Sequence, residues 1–199
     1  MKRIFSKIIA VFIMCACVFS CTVTNQNVIS SSTIKLNGTD TDIDKRLNID
    51  GCFEHYDSVT KRHNLIYFFG NGSIVEGIAW GQEDLSSFQP EKGMGVYEMH
   101  GDTITAELYY DNEDGSTFIF NQRIVQVKYL IIDKNTIAEI GFYRPLTGQK
   151  KDYWFMYHFR SDHKYSSNDI NRFLKNQWLW KSEADRQAWL RKQEEKEGQ

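Results

Sequence analysis

The chain has 199 residues, so one domain is the default. Only Cys52 lies beyond residue 21, which excludes an internal disulfide and leaves stability to a packed core, and 28 aromatic side chains against two prolines suit a β-rich one. Beyond residue 20 there are 21 basic and 26 acidic side chains, net −5, a balance that argues against nucleic acid or an anionic membrane surface as a partner.

The first element is a leader. Met1-Lys2-Arg3 and Lys7 precede an apolar run from Ile8 to Phe19, and Val18-Phe19-Ser20-Cys21 ends it. A run of about 12 residues is too short to span a bilayer and reads as a secretory signal. Residues 1–20 resemble the signal peptide of a bacterial lipoprotein, with Cys21 as the lipid-anchor residue. Cys17, preceded by Ala16, and a plain secretory signal are the alternatives. The resemblance implies palmitate-like acyl chains on Cys21 and the lipid bilayer as a partner. Each buried methylene contributes about 0.8 kcal/mol, so two or three chains hold a protein stably.

Residues 21–46 read as the lipidated cysteine and a flexible tether, poor in apolar residues and without period. Surface-exported lipoproteins of Bacteroidota resemble one another in carrying acids just after the cysteine. Thr22 to Asn27 contains none. That points to the outer membrane, facing the periplasm.

From residue 47 the texture becomes short apolar or alternating runs between Gly, Asn and Asp clusters, the pattern of antiparallel strands. Eight are predicted: 47–56, 64–69, 73–80, 95–100, 102–110, 117–131, 136–143 and 152–160. Ile104, Ala106, Leu108 and Tyr110 face one way, as do Tyr153, Phe155, Tyr157 and Phe159. Asn121 and Arg123 interrupt the sixth run and predict a bulge. Connections alternate between tight turns (70–72, 101–102, 133–135) and long loops (57–62, 81–94, 111–116, 144–151). An up-and-down meander would gather all the long loops at one end. Two helices follow within a C-terminal segment, 161–199. Ser166 to Asp169 opens the first and Ser182 to Asp185 the second, which runs to about Glu197. Trp178 and Trp180 are expected to pack them onto the sheet.

Eight sequential antiparallel strands lose their edges by closing into a barrel. The predicted fold over 47–160 is therefore all-β, an eight-stranded up-and-down barrel, with a β-sandwich as the alternative. Gly51-Cys52-Phe53, Leu65 to Phe69 with Gly70-Asn71-Gly72, Gly95-Val96-Tyr97 and Gly101-Asp102-Thr103-Ile104 resemble the lipocalin-like domains of bacterial lipoproteins, common in Bacteroidota. Phe53 stands where lipocalins usually carry tryptophan.

The sequence supplies no catalytic signature. Glycine-flanked serine, phosphate-loop and dinucleotide patterns are missing, and His55, His63, His100, His158 and His163 lack metal-site spacing, although His158 and His163 flank Asp162. Glu83, Asp84 and Glu91, and Asp111, Glu113 and Asp114, read as solvated loop residues. Cys52 reads as a buried thiol. The expectation is a non-catalytic protein without cofactor or metal. The first reading is a barrel that binds a small apolar ligand at the long-loop mouth through Trp80, Phe88, Tyr97, Tyr110, Phe142, Tyr153 and Tyr157. The second is a filled barrel acting as an envelope protein-interaction module (assembly accessory, inhibitor or immunity factor), with 81–94 or the Trp178–Trp189 region as contact surface.

Overall fold

The computed structural model describes residues 31–80, 89–110, 123–165 and 167–197, with side chains throughout except at 80, 89–92, 123, 167–169 and 196–197. Eight strands form a closed barrel in simple sequential order: β1 (Cys52–Asp57), β2 (Arg62–Phe68), β3 (Ser73–Trp80), β4 (Gln89–His100), β5 (Thr103–Tyr110), β6 (Arg123–Asp133), β7 (Thr136–Arg144) and β8 (Gln149–Arg160). Every neighbouring pair is antiparallel. The closing seam is short: Cys52, Phe53 and Glu54 pair with Arg160, Phe159 and His158. Side chains reinforce it, with Arg160 donating to Glu54 at 3.0 Å and the Phe53 and Phe159 rings 5.6 Å apart.

The barrel settles the choice against the sandwich, and the tight turns do share one end. β4 and β8 begin earlier than the sequence suggests, at Gln89 and Gln149. β1 begins later, at Cys52, because residues 47–51 belong to a different element. Asn121, where a bulge is predicted, lies outside the described residues; the register of β6 against β7 slips at Lys128/Tyr129 and again near Asp133.

That different element corrects the tether. Residues 31–46 were expected to be flexible, yet Ile34, Leu36 and Ile43 are buried, as is Leu47 just beyond them. A 3-10 turn, Ile43–Lys45, lies across the tight-turn end. Thr41 N–H donates to Gly70 O at 2.7 Å, and Asn48 N–H to Lys134 O at 2.9 Å. Arg46 pairs with Asp102. One segment is thereby tied to all three tight turns. Ile43 and Leu47 enter the barrel and join Phe53, Ile66, Phe68, Ile104 and Tyr129. Phe68 meets Phe53, Tyr97 and Tyr129 edge-on at 5.5–6.0 Å. This half of the barrel is a filled core. Two well-spaced isoleucine and leucine side chains are too sparse for a periodic signal, so the segment passed for linker.

Before the plug, the chain runs along the outer wall. Glu107 points outward from β5 but is fully buried. Its carboxylate accepts the Thr33 and Ile34 N–H groups (2.9 and 3.2 Å), the Thr33 hydroxyl (2.6 Å) and the Gln126 amide (2.9 Å). Charge-assisted bonds of this kind offset the desolvation of a buried carboxylate. Gly95 lets the wall close beside it, since a Cβ there would stand 2.1 Å from Glu107 O.

Two helices, α1 (Ser167–Leu174) and α2 (Glu183–Glu197), cover the outer face of the first strands. Ile170, Leu174, Leu179, Trp180 and Trp189 pack with Leu36 on Cys52, Leu65, Val75 and Val96. The predicted cap of α2 is present: Asp185 N–H donates to Ser182 Oγ at 3.1 Å.

Leu47→Ala should cost about 2–5 kcal/mol in urea unfolding, the range for truncating a buried leucine. A cost near zero would restore the tether.

Candidate functional site

Above the filled core the barrel is hollow. Beyond Ile66 the inward positions of β1–β3 turn polar: His55 and Asp57 follow Phe53, Asn64 and Arg62 precede Ile66, and Glu76 lies between Ile74 and Ile78. With Tyr110, Val125, Val127, Glu139, Phe142, Arg144, Tyr153, Phe155 and Tyr157 they enclose about 470 Å³. The space reaches the ends of β1, β2 and β7, next to the turns at 58–61 and 145–148.

The groups are layered by charge. Arg62 and Arg144 lie at the strand ends, with Asp57 beside them. Arg144 donates to Gln149 at 2.6 Å and stands 5.1 Å over the Phe142 ring. The Asp57 carboxylate is turned to its own loop, accepting from the Val59 N–H and the Thr60 hydroxyl, which holds its pKa low. Glu76 and Glu139 lie deeper. Tyr110 donates to Glu76 at 2.7 Å, Tyr157 to Glu139 Oε2 at 2.7 Å, and Tyr153 to Glu139 Oε1. Arg62 is four residues along β2 from Ile66, the cross-strand partner of Glu76. That places the two layers about 13 Å apart along β2, at about 3.3 Å per residue.

Burial pushes the Glu139 carboxyl above the ordinary range, against the lowering effect of the two tyrosine bonds and of His55. Tyr153 and Tyr157 are pushed up too, chiefly by burial, and remain protonated donors. His55 Nδ1 lies 2.9 Å from Met156 O. A carbonyl only accepts, so Nδ1 carries the proton and Nε2 is left to serve the cavity. Arg62 Nε, Arg144 Nε and the Tyr129 hydroxyl are buried with no hydrogen-bond partner among the described residues. The hydroxyl sits beneath the cavity, within electrostatic reach of Glu76, Glu139, Tyr157 and Tyr110.

Of the residues expected at a mouth, Tyr110, Phe142, Tyr153 and Tyr157 do line the cavity. Tyr97 does not. It faces inward in the filled half, where its hydroxyl donates to Phe69 O at 2.7 Å and meets the Thr41 hydroxyl at 2.8 Å, closing the plug. Phe88, the Trp80 side chain and Cys21 lie outside the described residues, as do Glu83, Asp84, Asp111, Glu113, Asp114 and the Glu91 side chain. The charged lining was missed, although a signal existed: Glu76 shares parity with Ile74 and Ile78, and Glu139 with Ile137.

The other candidates are occupied. Asp162 is held by Arg160 at 2.5 Å, and His163 bonds the Tyr67 hydroxyl. No group of three metal-ligating side chains occurs among the described residues. Trp180 and Trp189 are buried against each other at 5.7 Å, and Trp178 packs on Tyr109 at 4.7 Å, so these rings hold the helices to the wall. Burial pushes the Cys52 thiol up to about 11.

No family model, curated protein or solved structure matches this chain.

Two outcomes follow. A carboxyl raised in the folded state binds its proton more tightly there than in the unfolded chain, so its contribution is present below the ordinary carboxyl pKa and is lost as pH rises through the raised value. Stability relative to Glu139→Gln should therefore increase as pH is lowered towards the ordinary carboxyl range, read by denaturant unfolding at each pH. Cys52 should resist alkylation in the native protein and react once it unfolds, as read by peptide mass mapping.

Proposed function

We propose that this protein is a lipid-anchored, non-catalytic binding protein of the bacterial cell envelope whose barrel holds one small polar molecule. The observation that carries the reading is the cavity. Its volume falls in the range of small-molecule sites, about 300–1,000 Å³, and aromatic walls with a few placed polar groups are the usual lining of such sites. The expectation of an apolar ligand gives way to a polar one, because two arginines, two deep carboxylates, a histidine and an asparagine would lose hydration to a hydrocarbon without gaining partners.

The aromatic set supports binding in a different manner than expected. Tyr110, Tyr153 and Tyr157 present hydroxyls that orient Glu76 and Glu139, and their rings serve as walls. The anchor at Cys21 and an outer-membrane position facing the periplasm rest on the leader and on the acid-free stretch after it.

Val127→Phe tests the cavity. Its side chain would enter open space, so stability should change little while any molecule retained by the purified protein, read by native mass spectrometry, is lost. In a filled barrel the same change would cost about 1–3 kcal/mol by overpacking. Cys21→Ser should shift the protein from the membrane to the soluble fraction, and mass spectrometry of the mature chain should find acyl chains on Cys21. An unmodified Cys21 overturns the anchor.

A further inference from the structure

The mouth of the cavity and the lining below it ask for different things of a ligand. At the mouth Arg62 Nε and Arg144 Nε are buried donors without a hydrogen-bond partner among the described residues. Arg144 spends Nη1 on Gln149 and lies over the Phe142 ring, which leaves its Nε–H unserved. The carboxylate beside them, Asp57, is turned to Val59 and Thr60 of its own turn. Two guanidinium groups against one occupied carboxylate leave an excess of positive charge at the mouth among the described residues. A guanidinium only donates, and its fork matches a carboxylate, so an anionic acceptor completes this end.

Below the mouth the open capacity is for hydrogen bonds, and no charge is missing. Glu76 and Glu139 are both engaged: Tyr110 donates to the first, Tyr153 and Tyr157 to the second, and His55 stands within electrostatic reach of Glu139. Each tyrosine has one hydroxyl hydrogen and spends it there, so its oxygen meets the cavity as an acceptor. His55 spends Nδ1–H on Met156 O, so Nε2 of the neutral ring accepts as well. A carboxylate has about four acceptor positions, and Glu139 takes one tyrosine on each oxygen. This lining accepts, and neutral hydroxyls are the donors that match it. One wall is continuously aromatic: the rings of Phe142, Tyr153, Phe155 and His55 follow one another at 6.1, 5.0 and 5.3 Å. The negative face of an aromatic ring attracts C–H hydrogens polarised by neighbouring oxygens, such as those on the face of a sugar ring.

Resting on the reading of the barrel as a binding protein, we propose that its ligand is a small hydroxylated carboxylate of the class of a sugar acid, its carboxylate held at the mouth by Arg62 and Arg144 and its hydroxyls donating to Glu139, Tyr153 and His55 below. Charge sets the orientation. A second carboxylate beside Glu139 would be repelled, so the anionic end stays at the mouth and the hydroxylated ring leads inward. A single ring suffices. The cavity of about 470 Å³ is the space that the side chains leave open, and it lies within the range of small-molecule sites.

The test is titration calorimetry of the full mature protein with four probes: glucuronate, galacturonate, glucuronamide (the same ring with its carboxylate neutralised) and hexanoate (a carboxylate without hydroxyls). At least one uronate should bind, and the amide and hexanoate should bind at least about tenfold more weakly, because each leaves buried groups of the site unpaired. The double variant Arg62→Gln with Arg144→Gln should lower uronate affinity at least about tenfold and bring it level with that of the amide. Tyr153→Phe should weaken uronate and amide alike and leave their ratio unchanged. Thermal melting shows whether each variant is folded, and the comparison of probes on the unaltered protein keeps the test intact if one is not. Equal binding of uronate and amide overturns the anion site. Equal binding of uronate and hexanoate overturns the hydroxyl-accepting lining. Absence of uronate binding overturns the inference, and the binding barrel still stands if native mass spectrometry finds another retained molecule or if Val127→Phe is tolerated. Nothing retained, together with a Val127→Phe protein destabilised by overpacking, overturns both.

Discussion

Ile43 and Leu47 close one end of the barrel, and the position of everything else of interest follows from that closure. An eight-stranded barrel has an interior just wide enough for side chains to fill or for one small ligand to occupy. Here the two possibilities share the molecule. At the tight-turn end the plug supplies two aliphatic side chains from outside the sheet, and Phe68 with its edge-on partners completes a dry core. The plug is fastened at three places, by Thr41 to Gly70, Arg46 to Asp102 and Asn48 to Lys134. Because this half holds the strands in register, the other half is free of the duty of packing. Charged side chains can face inward there without unravelling the sheet.

The outer wall depends on a second fastening. The chain reaches the plug only after Thr33 and Ile34 are held by Glu107, halfway along β5, and after Leu36 exchanges backbone bonds with Leu179 and Lys181. The N-terminal segment and the helical segment therefore stabilise each other on the wall over Cys52, Leu65 and Val75. This alters the geometry that the loop pattern alone implies. A tether entering at the tight-turn end would carry the mouth away from the anchor. Instead Ser32, next to the first described residue, accepts from the Tyr109 hydroxyl near the end of β5 away from the tight turns. Ten residues separate Cys21 from Ser31, a reach of at most about 35 Å. On the proposed anchor at Cys21, that reach would let the barrel stand clear of a membrane.

Strand order, tight turns and both helices were legible because they rest on local signals. Glycine and asparagine mark turns through the φ they tolerate, as at Gly72 and Gly101, and the period of two marks strands. The aromatic part of the site was legible for the same reason: Tyr110, Tyr153 and Tyr157 share a face with apolar neighbours. What escaped was everything that breaks the equation of inward with apolar. Glu76, Glu139, Arg62 and Asn64 occupy inward positions by parity, but a scan for hydrophobic alternation scores them as interruptions. Arg144 escaped for a further reason. The register slip at Gly141 shifts its parity relative to Glu139, so no single period places both inside. The plug escaped because its burial is decided by tertiary packing, with only a single turn of helix to announce it.

The charged lining is itself the strongest physical statement the barrel makes. A hydrophobic lining would be simpler to stabilise, because buried ionisable groups carry a desolvation cost that pairing often fails to recover. Glu139 shows that cost directly, its carboxyl displaced upward by burial even with two tyrosines donating to it. Tyr153 and Tyr157 lower the cost without removing it, since they contribute hydrogen bonds and no positive charge. Arg144 already donates to Gln149, while the buried Nε groups of Arg62 and Arg144 have no hydrogen-bond partner among the described residues. On the proposed reading of the barrel as a binding protein, a ligand that satisfies these groups would stabilise the fold through the same groups that recognise it.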